Sequence, residues 1–159
     1  MFTIRPGVTP DEIKYVAANM RGADVAEVWA TSGFLPEPAL DYSVDVSEAV
    51  WTWLEDDVPI AVFGVGEYLP DTGSPWFLAT PHMHRADAQV FFVRNTQRVL
   101  DAMHRVGYPI LMQYVHAKHL ESLRWLQWAG FSLNQFYPAW GFAGEPFFRL
   151  SKVKSCANP

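Results

Sequence analysis

The chain has 159 residues, which is the size of one domain and is short for two separate cores. Half of the residues are apolar and only 18% are charged, so the composition excludes a disordered chain and a solvated coiled coil. The formal net charge of −5 argues against a nucleic-acid-binding surface, and no apolar run reaches the roughly 20 residues of a membrane span. The 24 Trp, Tyr and Phe residues exceed what one small core needs, which indicates a pocket or a partner surface.

The first third of the chain predicts a strand, two helices and a loop. Residues 2–5 form a short strand. Thr9 and Glu12 form a capping box around Pro10, which predicts a helix to about residue 20. A second helix runs from residue 24 to near Gly33. Residues 34–45 contain two prolines and are predicted to form a loop.

The middle of the chain predicts a hairpin of strands 50–54 and 59–65, a loop over 67–75, and a buried strand over 76–79. Trp51 and Trp53 are two residues apart, so they share one face of the sheet. We expect this face to be part of the core.

The second half predicts alternating helices and strands. Their expected ranges are a helix at 85–106, a strand at 110–115, a helix at 119–129 closed by Gly130, and strands at 131–137 and 146–150. Trp125 and Trp128 are neighbours on one of these helices and are predicted to pack in the core. Residues 151–159 are expected to be a polar, frayed tail behind a single domain over 1–150. The order of elements predicts an α+β fold with one mixed sheet.

The sequence carries no strong catalytic motif. His82 and His84 form one histidine pair and His116 and His119 another, but a metal site needs three or four ligands that converge, and no metal is predicted. The single cysteine, Cys156, cannot form an internal disulfide, so a reducing cytoplasm is the default environment.

Glu48 and Glu67 flank the predicted hairpin. Either carboxylate is a candidate general base if it faces a cleft.

The last hairpin concentrates the aromatic surplus. Its rings are too many for one side of a two-stranded unit, so some of them must face a partner or another copy of the chain. We expect Trp140, Phe142 and Phe147 to form this partner surface. The rings of the hairpin are Phe136, Tyr137, Trp140, Phe142, Phe147 and Phe148.

The element order and one segment resemble the GNAT acetyltransferases. Residues 115–131 resemble the GNAT strand and helix that close on Gly-Phe, here Gly130-Phe131, and Ile4-Arg5-Pro6 is similar to the GNAT opening strand. The resemblance implies a twisted mixed sheet of six or seven strands with helices on both faces. It also implies that acetyl-CoA, if bound, lies between the fourth and fifth strands.

Short apolar motifs resemble a narrower group, the internal virion protein A family of short-tailed phages. These motifs are residues 59–61, 76–80 and 123–130. The resemblance implies a protein of the virion interior or the host bacterial cytoplasm, with portal, ejection or other phage structural proteins as partners.

Two departures from the GNAT pattern concern the cofactor and the proton donor. The GNAT loop that binds the pyrophosphate is Arg/Gln-x-x-Gly-x-Gly/Ala, whereas residues 80–86 contain no glycine and Pro81 lacks an amide donor. Leu126 stands at the position of the usual tyrosine acid, and His119 at that of the usual asparagine. The residues that remain candidates for contacting acetyl-CoA are Leu78, Ala79, Thr80, His82, His84 and Arg85.

Three functions follow, of which the third is a small binding or regulatory domain with no phage role. The main interpretation is a phage virion protein that uses a GNAT scaffold and needs no cofactor. The alternative is an N-acyltransferase that uses acetyl-CoA. In that case Tyr114, His119 or water protonates the thiolate, and Glu67 or a histidine takes the proton of the amine.

Overall fold

The computed structural model describes residues 1–155, so Cys156 lies outside the described residues. The elements alternate between strands and helices, and a short 3₁₀ turn at Pro81–His84 precedes the longest helix. The strands are β1 Phe2–Pro6, β2 Ser47–Glu55, β3 Val58–Leu69, β4 Thr72–Ala79, β5 Ile110–His116, β6 Ser132–Tyr137 and β7 Phe147–Val153. The helices are α1 Pro10–Ala18, α2 Gly22–Ser32, α3 Pro36–Asp45, α4 Ala86–Arg105 and α5 Leu120–Trp128.

The seven strands form one mixed sheet in the order β1-β2-β3-β4-β5-β7-β6. All neighbouring strands are antiparallel except β4 and β5, which are parallel. Helices α1 and α3 pack on one face around Val16, Leu40 and Val62. Helices α4 and α5 cover the opposite face, where Leu100 and Leu126 are buried. The predicted α+β class, the mixed sheet and the helices on both faces are confirmed.

Local sequence signals explain three helix ends. The Thr9 side chain accepts the Glu12 amide at 3.2 Å, and the Glu12 carboxylate accepts the Thr9 amide at 2.8 Å, so the predicted capping box is confirmed. Gly33 and Gly130 follow α2 and α5 with φ of 71° and 102°, the left-handed conformation that glycine adopts without strain.

The predicted loop over residues 34–45 is wrong, because most of this segment forms α3. Pro36 is the first residue of the helix and Pro38 the third. The amides of the first turn have no partner within the helix, so neither proline removes a hydrogen bond. Burial of Ala39 and Leu40 then holds the helix against the sheet.

The predicted loop over residues 67–75 is also wrong. Strand β3 continues to Leu69, and β4 begins at Thr72 after a two-residue turn. Gly73 lies inside β4, where a Cβ atom would stand 2.6 Å from the Tyr108 ring. The glycine therefore permits close packing and does not mark a loop.

At the carboxyl end, β7 runs three residues into the segment that was expected to be a frayed tail. Ser151, Lys152 and Val153 pair with β5. Backbone pairing, which polarity alone does not reveal, explains the difference.

The two tryptophan pairs have different outcomes. Trp51 stacks on Phe63, and Trp53 is 1% exposed, so this pair lies in the core as predicted. Trp125 packs on Phe92 with ring centroids 5.0 Å apart. Trp128, however, is 60% exposed. The buried side of α5 runs through Leu123 and Leu126, and Trp128 points away from it.

Candidate functional site

Strands β4 and β5 separate soon after they begin to pair. Within residues 1–155 they pair at Thr72 with Ile110 and at Gly73 with Leu111. The Thr80 amide bonds to β3, so the backbone groups of Ala79, and of Pro75 four residues earlier, face β5. Because Pro75 has no N–H to donate on that edge, the regular hydrogen bonding between β4 and β5 is interrupted at this residue.

The gap between the two strands contains a cavity of about 480 Å³. This volume lies within the range of roughly 300–1,000 Å³ that is usual for small-molecule sites. Side chains from both faces of the sheet line it. Phe77 and Val115 face α4 and α5, whereas Trp76 and Tyr114 face α1 to α3.

On the α4 and α5 face the cavity is bounded by six aromatic rings, which we call the aromatic chamber. Neighbouring ring centroids in the chamber are 5.0 to 5.9 Å apart. The chamber consists of Trp53, Phe63, Phe77, Phe91, Phe92 and Trp125. None of these side chains is charged, so this side of the cavity favours an apolar group.

On the opposite face Tyr114 lines the cavity. Its ring stacks on Trp140 with centroids 4.2 Å apart and planes 9° apart, and its hydroxyl oxygen lies 3.4 Å from that of Tyr68. Burial, followed by the Tyr68 hydrogen bond, raises the pKa of Tyr114 to about 12. Tyr114 therefore keeps its proton at neutral pH and can donate it.

Helix α2 is tied to the β4 rim of the gap. The Ala79 amide donates to the Asp24 carboxylate at 2.9 Å, and the Ala79 carbonyl accepts the Arg21 amide at 2.8 Å. Asp24 also accepts two hydrogen bonds from the Arg21 guanidinium, at 2.7 and 2.8 Å. The free edge of β4 is thus satisfied by the chain itself at this residue.

The same helix is tied to the segment after β5. His119 Nδ1 lies 2.6 Å from Glu27 Oε2, and this contact raises the pKa of His119, although partial burial opposes the shift. His119 does not line the cavity, but Glu27 and Ser122, which it contacts, do. The structure therefore places His119 one side chain away from the cavity.

The predicted cofactor residues divide into two groups. Leu78 is buried on the α1 and α3 face and lines the cavity, whereas Ala79 is bonded as described and Thr80 turns towards Ile60. His82, His84 and Arg85 do not line the cavity.

Ion pairs occupy the start of α4. His82 Nε2 lies 2.6 Å from Glu55, and the Arg85 guanidinium lies 2.8 Å from Glu55 and 2.6 Å from Asp87. Hydrogen bonds to these two carboxylates raise the pKa of Arg85. Two negative side chains thus stand where the helix N-terminus would otherwise attract an anion.

A diphosphate does not fit this turn. Pro81 has no amide hydrogen, and the Met83 and Arg85 amides already donate to carbonyls within the turn. The cavity itself has room for a slender apolar arm. The residues present therefore fit the pantetheine arm that carries an acyl thioester, and they do not fit the diphosphate of acetyl-CoA.

Of the three predicted catalytic residues, the structure brings two to the cavity. Tyr114 and Glu67 line it, and His119 does not. Leu126, at the position of the usual tyrosine, is buried and also lines it. Sequence reasoning missed the Arg21–Asp24 pair, whose i, i+3 spacing was visible but whose contact with Ala79 was not.

The expected partner surface changes in composition. Phe147 is fully buried and therefore is not part of any surface. Trp140 packs on Tyr114 and is 37% exposed, and Phe142 packs on Trp29 and is 63% exposed. Phe147 is buried because β7 lies between β5 and β6, and its ring packs under Trp140.

Within residues 1–155, no group of three or more His, Cys, Asp or Glu side chains could hold a metal ion. None of the helices in this range is both long enough and apolar enough to cross a membrane.

The chain matches no family model and no curated protein. Solved structures resemble it closely in shape. The ribosomal-protein-S18-alanine N-acetyltransferase from Escherichia coli is 14% identical, with a TM-score of 0.70 over 99% of this chain and 97% of that one. A GNAT family acetyltransferase from Elizabethkingia anophelis, solved with acetyl-CoA bound, is 10% identical, with a TM-score of 0.67 over 96% and 98%.

An acetyltransferase from Bacillus subtilis in complex with CoA is 12% identical, with a TM-score of 0.70 over 98% of this chain and 100% of that one. None of these comparisons supports the resemblance to phage internal virion proteins or a place in the virion. The likeness covers nearly the whole described chain. The chain has the fold of the GNAT acetyltransferases.

Proposed function

We propose that the chain is an N-acyltransferase that transfers an acyl group from a thioester to an amine across the gap between β4 and β5. The observation that carries this proposal is the parting of these strands around a cavity open to both faces of the sheet. The GNAT fold supports the same reading, whereas fold alone would not establish an activity. The main interpretation of the sequence, a phage virion protein, has no comparable structural support.

The reaction forms a bond between the acyl carbon and the amine nitrogen, breaks the carbon–sulfur bond, and moves one proton from nitrogen to sulfur. Tyr114 is the candidate proton donor because it lines the cavity and keeps its proton at neutral pH. Glu67 is the candidate base, since its carboxylate lies at the exposed rim of the same cavity. His119 positions α2 through Glu27 and does not face the cavity.

The test uses the full-length chain with acetyl-CoA as the first donor and, as acceptors, a diamine and a peptide with a free N-terminus. Millimolar acetyl-CoA should raise the Tm, because a ligand that binds only the folded state stabilises it. Thiol release should depend on the acceptor. If none of the thioesters tested, including those of larger acyl groups, shifts the Tm or releases thiol, the proposal is wrong.

Tyr114→Phe keeps the ring stack on Trp140 and removes the hydroxyl. Its kcat should fall by roughly a hundredfold with little change in KM, because proton transfer contributes that much to such reactions. Tyr68→Phe is the matched control. It removes the neighbouring hydroxyl at 3.4 Å and should have a much smaller effect.

A further inference from the structure

We infer that the protein holds its acyl donor mainly through the acyl group, in the aromatic chamber, and that the donor is a thioester of an apolar acyl group much larger than acetyl. This inference rests on the proposed function, because it names the donor class for the same cleft. Two independent observations support it: the turn before α4 is closed to a diphosphate, and the chamber behind the gap is open to an apolar group.

At the turn, the cationic side chains that could bind an anion are already paired with carboxylates. Arg85 contacts Glu55 and Asp87, and His82 contacts the same Glu55. A diphosphate placed there would either displace these carboxylates from Arg85 or be repelled by their negative charge. The nucleotide of an acyl-CoA should therefore add little affinity.

Beside the chamber, the polar side chains of α4 are engaged by the chain. Gln89, Asn95 and Thr96 line the cavity, and each donates one hydrogen bond to a backbone carbonyl, at 2.8 to 3.0 Å. The rest of the surface is formed by the aromatic rings and by aliphatic residues such as Val99 and Leu126. The indole N–H groups of Trp53 and Trp125 are buried without a partner within residues 1–155, so the surface is largely but not wholly apolar.

The cavity is continuous from the gap to the chamber, so an acyl group that enters at the gap can extend into it. With the arm of the thioester in the gap, an acetyl group would reach little of the aromatic chamber. Each additional methylene buried in an apolar space raises affinity about fourfold. A medium-length alkyl chain is therefore the class of acyl group that the chamber favours, and an aryl group of similar size is the closest variant.

The experiment compares four donors with the full-length chain: acetyl-CoA, octanoyl-CoA, S-acetyl-pantetheine and S-octanoyl-pantetheine. Calorimetry in the absence of an amine gives each Kd. Octanoyl has six more methylenes than acetyl, so it should bind more tightly on both carriers by on the order of a thousandfold. CoA and pantetheine carriers of the same acyl group should differ by less than about threefold, since the diphosphate lacks a site.

Acetyl-CoA binding as tightly as octanoyl-CoA, or CoA carriers binding far more tightly than pantetheine carriers, would overturn the inference and leave the proposed function intact. Binding by none of the four donors would overturn both. A phenylacetyl thioester on each carrier tests whether the chamber prefers an aryl group to an alkyl chain. Weaker binding than octanoyl supports the alkyl class, and tighter binding overturns that choice.

Val99→Phe places a ring at the chamber wall and should weaken octanoyl binding at least tenfold, while acetyl binding changes little. Val90→Phe is the matched control, because Val90 is on the same helix, is 49% exposed and does not line the cavity. Asn95→Phe, four residues earlier on α4 and also at the cavity, provides a second filling variant if Val99→Phe folds poorly. Equal octanoyl affinity in a folded filling variant and in the control would contradict the chamber as the site.

Discussion

The turn before α4 and the aromatic chamber lie beside the same gap in the sheet, and they differ in whether they can still bind a ligand. At the turn, Glu55, His82, Arg85 and Asp87 satisfy one another, and the chain itself bonds both backbone groups of Ala79. The chamber instead offers unfilled apolar space. The contrast shows that an apolar cavity can remain open beside a turn whose charged groups are already paired with one another.

The largest effect should come from breaking the tie between α2 and β4. Asp24→Ala removes a carboxylate that is 4% exposed and leaves the Arg21 guanidinium and the Ala79 amide without their partner. We expect a loss of about 3–5 kcal/mol in the free energy of unfolding, measured by urea denaturation. Asp11→Ala, at an exposed position of α1, should cost less than about 1 kcal/mol. Equal losses would show that Asp24 does not hold the rim.

A smaller effect should come from the tie on the β5 side. His119→Gln should cost about 1–2 kcal/mol near pH 6, because it removes a hydrogen bond to a charged partner. The Glu27 carboxylate raises the pKa of His119 in the folded state, so its contribution is complete below the unfolded pKa of about 6.5 and is lost as pH rises through the raised folded value. The difference between wild type and variant should therefore shrink from pH 6 to pH 9. A difference that does not change with pH would contradict the ion pair.

The smallest effect concerns the closed turn itself. The double variant Glu55→Gln, Asp87→Asn removes both negative charges beside Arg85. Acetyl-CoA affinity should rise about three- to fivefold by calorimetry, and S-acetyl-pantetheine affinity should not change. Asp101→Asn, nearer the other end of α4, is the control and should change neither. An equal rise for both donors would mean that the charges act on the gap and not on a diphosphate.

Much of the fold was predictable from local signals. The capping box at Thr9 and the glycines after α2 and α5 act within a few residues, and the hairpin of β2 and β3 has a clear apolar pattern. The two wrongly predicted loops share one cause. Prolines and glycines in residues 34–45 and 67–75 predict loops by their usual preferences, but here Pro36 begins a helix and Gly73 accommodates the Tyr108 ring. Only the neighbouring elements make these exceptions stable.

The candidate site was predictable in part. The lack of glycine in residues 80–86 and the presence of Leu126 are visible in the sequence, whereas the ion pairs of Arg85 in that turn are seen only in the structure. That Tyr114 and Glu67 reach the cavity while His119 does not depends on strand direction and on the position of α2. No sequence spacing encodes that arrangement.

The sequence by itself determined the fold class, the cap of α1, the glycines that end α2 and α5, and the absence of a glycine-rich phosphate loop, because these depend on residue type and short-range spacing. The tertiary structure decided where the aromatic surplus lies. Trp53, Phe92 and Trp125 come from different elements and meet only when α4 and α5 pack across the sheet. It also decided that the gap opens after Gly73, because Pro75 interrupts pairing only once β5 lies beside it.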